Sequence, residues 1–243
     1  MTGNLIEIFS SAQGEGPYIG YRQVFVRFEG CNLHCRYCDT AHAIGSHPFC
    51  LVETPFPEEL ELSVENPVSD ENAAKYIQRL LDAVPHHSVS FTGGEPLLHA
   101  DFIAAVAQRL SARIFLETNG TLVDELKKVL PYVDIISMDI KPPSAAGDSL
   151  WARHSAFLET AAEKDVYVKL VITADLTEAE LAETCSLIAE VRADIPLILQ
   201  PVTPQGGCIP PKAEEALRMQ ERALRVLRDV RLIPQAHTMM GIR

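Results

Sequence analysis

The sequence predicts an α/β protein built as an open or partial barrel of parallel strands. From residue 69 onward, short β-rich runs alternate with amphipathic helical stretches, the pattern of a parallel sheet covered by helices. Several unusual polar segments come directly after these runs, at the carboxyl ends of strands, where parallel α/β folds gather their sites. At 243 residues and 47% hydrophobic, the chain has enough apolar material for one large core. That length fits a single domain, residues 1–243, better than two small ones.

The amino-terminal part comes first. Leu5-Ile-Glu-Ile-Phe9 and Gln23-Val-Phe-Val-Arg-Phe28 read as strands ahead of a cysteine-rich loop. Residues 44–68 hold Pro48, Pro55, Pro57 and Pro67 among mixed acidic and apolar residues and read as an irregular insertion or flap. A helix is expected over 70–83, where Ala73, Ile77, Leu80, Leu81 and Val84 recur on one face. Strand 88–92, a helix through 102–109, strand 113–118 and a short helix over 122–130 come next. Strand 133–139 leads through a crossover containing 151–162 into strand 166–172. Thr177-Glu-Ala-Glu180 has the form of a capping box and should open a helix running to about Val191. Strands 196–200 and 230–234 flank a final helix over 212–228.

Composition narrows the function classes. A net charge of −12 argues against a nucleic-acid surface, because phosphate binding depends on clustered Lys and Arg. The first residues lack a basic start leading into a long apolar run, and no later run approaches the ~20 residues that span a bilayer. A cytoplasmic protein with no membrane partner is expected. Six unevenly spaced cysteines then point to metal or redox chemistry over a disulfide framework.

Three of those cysteines, Cys31, Cys35 and Cys38, fall within eight residues. Iron-sulfur cubanes are usually held by four thiolates, so three leave one iron open to a group from outside the protein. A structural zinc would need a fourth ligand, for which His34 or His42 stands nearby. Cys185 lies in an expected helix and reads as a buried apolar residue; Cys50 and Cys208, in irregular segments, read likewise as non-ligands.

The CxxxCxxC loop resembles that of radical S-adenosylmethionine (SAM) enzymes, whose motif binds a [4Fe-4S] cluster with SAM on the open iron. Phe91-Thr-Gly-Gly-Glu-Pro96 resembles the GGEP motif of the same enzymes. Ser11-Ala-Gln-Gly-Glu-Gly-Pro-Tyr-Ile-Gly20, Phe25-Val-Arg-Phe-Glu-Gly-Cys-Asn-Leu33 and Cys38-Asp-Thr40 narrow the likeness to the 7-carboxy-7-deazaguanine synthase family. The resemblance runs from residue 11 to His237. It implies a radical-SAM-type partial barrel, and a lyase of queuosine and 7-deazapurine biosynthesis that contracts 6-carboxy-5,6,7,8-tetrahydropterin to 7-carboxy-7-deazaguanine and ammonia.

The resemblance also implies roles for individual residues. Cys31, Cys35 and Cys38 hold the cluster. Gly94, in the GGEP loop, contacts SAM, as do Tyr37, Cys38 and Asp39, the strand-end residues Ser137, Asp139 and Lys141, and the segment Gln200, Pro201, Val202 and Thr203. Ala12, Gln13, Gly14, Arg27, Thr92 and the terminal Arg243 contact the pterin. Arg27 suits a carboxylate chemically, since guanidinium binds it in a planar fork. Thr40 contributes its hydroxyl to Mg2+, which keeps several waters and needs few protein ligands. No residue is assigned as catalytic, because the cofactor supplies the radical. The resemblance further implies a homodimer and an electron donor such as flavodoxin or ferredoxin. The alternative reading is an activase that places a glycyl radical on a partner protein; QGEGPYIG and Thr40 have no named task in it.

Overall fold

The computed structural model describes residues 1–55 and 61–242, apart from the side chains of residues 41 and 42. The amino-terminal strands are β1 (Thr2–Gly3), β2 (Leu5–Ala12), β3 (Arg22–Phe28), β4 (Phe49–Glu53), β5 (Glu61–Glu65) and β6 (Val68–Ser69). The βα series comprises α1 (Asp70–Ala83), β7 (Ser88–Gly93), α2 (Ala100–Ala107), β8 (Ile114–Thr118), α3 (Val123–Val129) and β9 (Ile135–Ile140). It continues through α4 (Pro143–Ala146), α5 (Trp151–Ala161), β10 (Asp165–Ile172), α6 (Glu178–Arg192), β11 (Leu197–Pro201), α7 (Ala213–Ala223), β12 (Val230–Leu232) and α8 (Ala236–Met240).

Among the described residues ten strands form one sheet in the order β12-β11-β10-β9-β8-β7-β3-β2-β4-β5, and its two ends do not pair with each other. The run from β3 to β12 is parallel; β2 pairs antiparallel with β3. The expected open, mostly parallel α/β sheet is therefore present. Period-two alternation gives its faces different chemistry. Ile8, Val26, Phe91, Leu116, Ile136, Val168 and Leu197 belong to the main apolar core with the helices. The opposite, concave face carries Glu7, Arg27, Thr92, Glu117, Ser137, Asp139, Lys169 and Gln200.

Local chemistry explains the helix ends. Ser69 caps α1 by accepting from Asn72 N at 3.2 Å, and Thr177 and Glu180 form the expected reciprocal capping box on α6. Val84 lies just past α1 in extended conformation and half exposed, outside the apolar stripe assigned to it. α7 is shorter than the helix expected over 212–228: after Ala223 the backbone tightens, with Arg225 N bonded to Arg222 O and Val226 N to Ala223 O. That turn buries Leu227 and returns the chain to β12.

Residues 44–68 differ from the irregular flap expected of them. Their described part contains β4, added parallel to β2, and β5, paired antiparallel with β4. Cys50 and Val52 point into the core while Phe49 and Leu51 face out. Pro48, Pro55 and Pro67 flank these strands without interrupting them, so the ladder stays intact. Cys50 thus belongs to a strand, and the part of this segment at 56–60 lies outside the described residues.

Candidate active site

Strand register assembles the cleft. Because paired residues point to one side of a sheet, Glu7, Arg27 and Thr92 stand in a row across β2, β3 and β7. Glu117 and Ser137 pair across β8 and β9; Asp139 and Lys169 pair across β9 and β10; Val171 and Gln200 across β10 and β11. Phe115, Ile135, Tyr167 and Ile198 close the floor with an apolar layer. Above it lies a cavity of about 530 Å³, bounded also by the cysteine loop, the Gly93–Gly94 turn and the carboxyl-terminal segment.

One side of the cleft is a charge network. Lys169 pairs with Glu15 and lies 3.3 Å from Asp139 Oδ2, which Lys141 Nζ reaches at 2.9 Å. Burial would push the Glu15 carboxyl up, but the charge of Lys169 and hydrogen bonds from Lys169 and Gln235 outweigh it and hold the pKa at about 2. Burial likewise opposes the charge on both lysines, yet Asp139 leads the carboxylates and other neighbours that raise both pKa values. Both lysines are therefore cations at neutral pH.

The other side binds differently. Arg27 Nε donates to Glu7 Oε1 at 2.7 Å, and its guanidinium lies 5.9 Å from the centre of the Phe9 ring. Phe9 stacks on Phe25 at 5.2 Å, forming an apolar wall. Between the two sides, Glu117 accepts from Gln13 Nε2 at 2.8 Å and from Thr92 Oγ1 at 2.7 Å.

Cys31, Cys35 and Cys38 all border the cavity, partly exposed. Leu33 N donates to Cys31 Sγ at 3.5 Å, and Thr40 Oγ1 lies 3.7 Å from Cys38 Sγ. Burial pushes the Cys31 and Cys35 thiols up, so a cation is needed to hold them as thiolates. Glu95 sits beneath this loop, fully buried, accepting from Leu97 N, Thr118 Oγ1 and Asn119 N. Burial dominates there and raises its pKa to about 7.

The sequence of residues 25–188 matches the model of the Radical SAM superfamily. The chain is 43% identical to a 7-carboxy-7-deazaguanine synthase of Geobacter sulfurreducens, over 98% of this chain and 96% of that one. It is 37% identical to the 7-carboxy-7-deazaguanine synthase of Archaeoglobus fulgidus over the whole of both. The chain belongs to the 7-carboxy-7-deazaguanine synthase family of radical SAM proteins. The fold also matches QueE from Escherichia coli, with TM-score 0.61, 22% identity, and coverage of 98% of this chain and 95% of that one.

Membership of this family implies a [4Fe-4S] cluster and SAM, and the cleft fits both. Among the described residues no three His, Cys, Asp or Glu side chains converge on a single-ion site. A cubane asks for no such convergence, because each cysteine binds a different iron. The fit to SAM rests on buried acceptors: Asp139 and Gln200 line the cavity, and among the described residues Asp139 Oδ1 and Gln200 Oε1 have no hydrogen-bond partner. A ligand bearing an ammonium and hydroxyls supplies the donors they lack.

The cleft brings together Ala12, Gln13, Gly14, Arg27, Tyr37, Asp39, Thr40, Thr92, Gly94, Ser137, Asp139, Lys141, Gln200, Val202 and Thr203 with the three cysteines. Pro201, at the end of β11, does not border it, and Arg243 lies outside the described residues. Cys50, Cys185 and Cys208 are buried away from solvent, and Cys208 packs with Tyr37, Val171 and Val202. Sequence reasoning passed over Glu7, Glu15, Glu117, Lys169 and Gln235 as site residues. Lys169 carried a signal, a lone charge inside Val-Tyr-Val-Lys-Leu-Val-Ile. So did Glu117, one residue before the end of a strand.

Proposed function

We propose that this chain converts 6-carboxy-5,6,7,8-tetrahydropterin to 7-carboxy-7-deazaguanine and ammonia, acting as one radical SAM domain over residues 1–243. The observation that carries the reading is a guanidinium, Arg27, held in the same cleft as the three cysteines. Glu7 takes the Nε of Arg27, and the terminal nitrogens would make the forked carboxylate contact. The family relatives favour this reading over the activase, which has no small carboxylated substrate.

Cys31, Cys35 and Cys38 would hold the cluster. Gly94, Ser137, Asp139, Lys141, Gln200 and Thr203 would hold SAM, with Tyr37, Cys38, Asp39, Pro201 and Val202 completing its surroundings. When bound, these groups supply reductive sulfonium cleavage and reversible hydrogen abstraction at the substrate's C6, so that SAM is used catalytically. The chain's own residues bind and orient. Ala12, Gln13, Gly14 and Thr92 surround the pterin, and Phe9 and Phe25 exclude water from one side. Arg243, outside the described residues, is carried in this reading as a further pterin contact. Thr40 holds Mg2+ near the substrate carboxylate, a reading supported by its hydroxyl at the cavity rim beside Cys38. The reading includes a homodimer in the cytoplasm, reduced by a flavodoxin or ferredoxin; among the described residues no helix is long and apolar enough to cross a membrane.

The test is anaerobic reconstitution with iron and sulfide, then addition of SAM, reductant, Mg2+ and carboxytetrahydropterin. Many turnovers to the deazaguanine without matching SAM consumption are expected. Stoichiometric deoxyadenosine with no deazaguanine would overturn the reading.

A further inference from the structure

Gln235, just before α8, is buried and joins three separate segments. Its amide nitrogen donates to Glu15 Oε1 at 2.7 Å and to Asp39 Oδ2 at 2.9 Å, and its oxygen accepts from Thr203 Oγ1 at 2.5 Å. The orientation is forced, because two carboxylates can take only the NH2 end. Glu15 is kept ionised by Lys169. Asp39 lies between the cluster cysteine Cys38 and Thr40.

Among the described residues, one backbone hydrogen bond also ties the chain beyond Gln235 to the rest of the molecule. Ala236 N donates to Gly14 O at 2.8 Å, while Thr238 Oγ1, Gly241 N and Ile242 N bond within the segment itself. Met239 and Met240 are exposed. Yet His237, Thr238 and Ile242 border the cleft, and His237 packs so closely on Gly14 that a Cβ there would stand 2.1 Å from its Nδ1. The geometry points to Gln235 as a positioning residue that locks the cysteine loop and the carboxyl-terminal segment into one unit, so that loss of Asp39 loosens the segment's cover over the cleft. This deepens the proposed function and rests on it for the identity of the covered ligand.

A double-mutant cycle tests it, read by hydrogen exchange of residues 236–242 in the reconstituted holoenzyme. Asp39→Ala should speed exchange about tenfold and Gln235→Leu, which also gives up Glu15 and Thr203, at least as much, and the double variant should be no faster than Gln235→Leu alone. Asp39→Asn, which keeps an acceptor oxygen, should retain most of the protection. Gln235→Glu, close to isosteric, should release the segment by setting a third carboxylate against Glu15 and Asp39. Multiplicative effects of about a hundredfold, or a segment indifferent to Asp39→Ala or to Gln235→Glu, would overturn the inference. None of these readouts depends on turnover, so failure to form deazaguanine leaves the coupling independently measurable.

Discussion

A Cβ on Gly94 would stand 1.8 Å from the carbonyl oxygen of Gly30, so the glycine turn after β7 and the residue preceding Cys31 are in direct backbone contact. Glu95 N donates to that same oxygen at 2.7 Å. The glycine turn and the cysteine loop are therefore tied to each other through backbone. Gly94→Ala must displace Gly30, at a cost of about 1–3 kcal/mol in strain. The variant should fold, lose iron faster than the parent on dialysis, and bind SAM at least about tenfold more weakly. Iron analysis and equilibrium dialysis check both.

The cysteines divide by surroundings. Cys31, Cys35 and Cys38 border the cleft, whereas Cys50, Cys185 and Cys208 are buried among apolar side chains. Replacing any of the first three by Ala should abolish the cluster's absorbance and its iron. Cys50→Ala or Cys185→Ala should leave iron content unchanged and cost about 1 kcal/mol through the small cavity created.

The sequence and the structure agree where local rules decide. Ala73, Ile77 and Leu80 recur at helical spacing and form the buried side of α1. Thr177 and Glu180 need only each other to start α6. The disagreements come from pairing between distant segments. Phe49-Cys-Leu-Val-Glu53 becomes a strand because β2 offers it an edge, a fact absent from its own proline-flanked sequence. Likewise Asp139 and Lys169 are 30 positions apart, and only the β9–β10 register makes them neighbours. Single residues in motifs were legible; the partners that hold them, Glu7 for Arg27 and Glu117 for Thr92, depended on which strands adjoin.

Acid should expose the Glu15–Lys169 pair. The folded pKa of Glu15 is about 2 against an ordinary 4.5, so its contribution is fully present above pH 4.5 and is lost as pH falls through 2. The shift is worth about 3 kcal/mol. Glu95, raised from 4.5 to about 7, acts with opposite sign in another window, its contribution lost as pH rises from 4.5 through 7. Urea midpoints between pH 5 and pH 2 should therefore fall steeply for the parent and more shallowly for Glu15→Gln.

Removing Lys169 alone should be worse than removing the pair. Lys169→Met leaves Glu15 and Asp139 buried together without their shared cation, and stranding a buried charge costs about 3–5 kcal/mol. Glu15→Gln in the same chain should recover part of that loss. Denaturant unfolding of the two singles and the double gives the coupling; strict additivity would count against the pair as a unit.

Arg27 and Glu7 offer a separation of binding from chemistry. Glu7 holds the Nε of Arg27 at 2.7 Å and both side chains are mostly buried, so the fork faces the cleft in one orientation. Arg27→Lys keeps the charge but loses the planar two-point contact. It should raise KM for the carboxylated pterin by about tenfold to a hundredfold, the range of a lost charge-assisted hydrogen bond, while leaving the KM for SAM near the parent value. Glu7→Gln should raise the same KM less, because the amide oxygen can still accept from Nε. If Arg27 instead served only to neutralise Glu7, Arg27→Lys, which keeps the charge, would leave KM at the parent value. Steady-state kinetics on the reconstituted protein, with each substrate varied in turn, distinguishes the two roles.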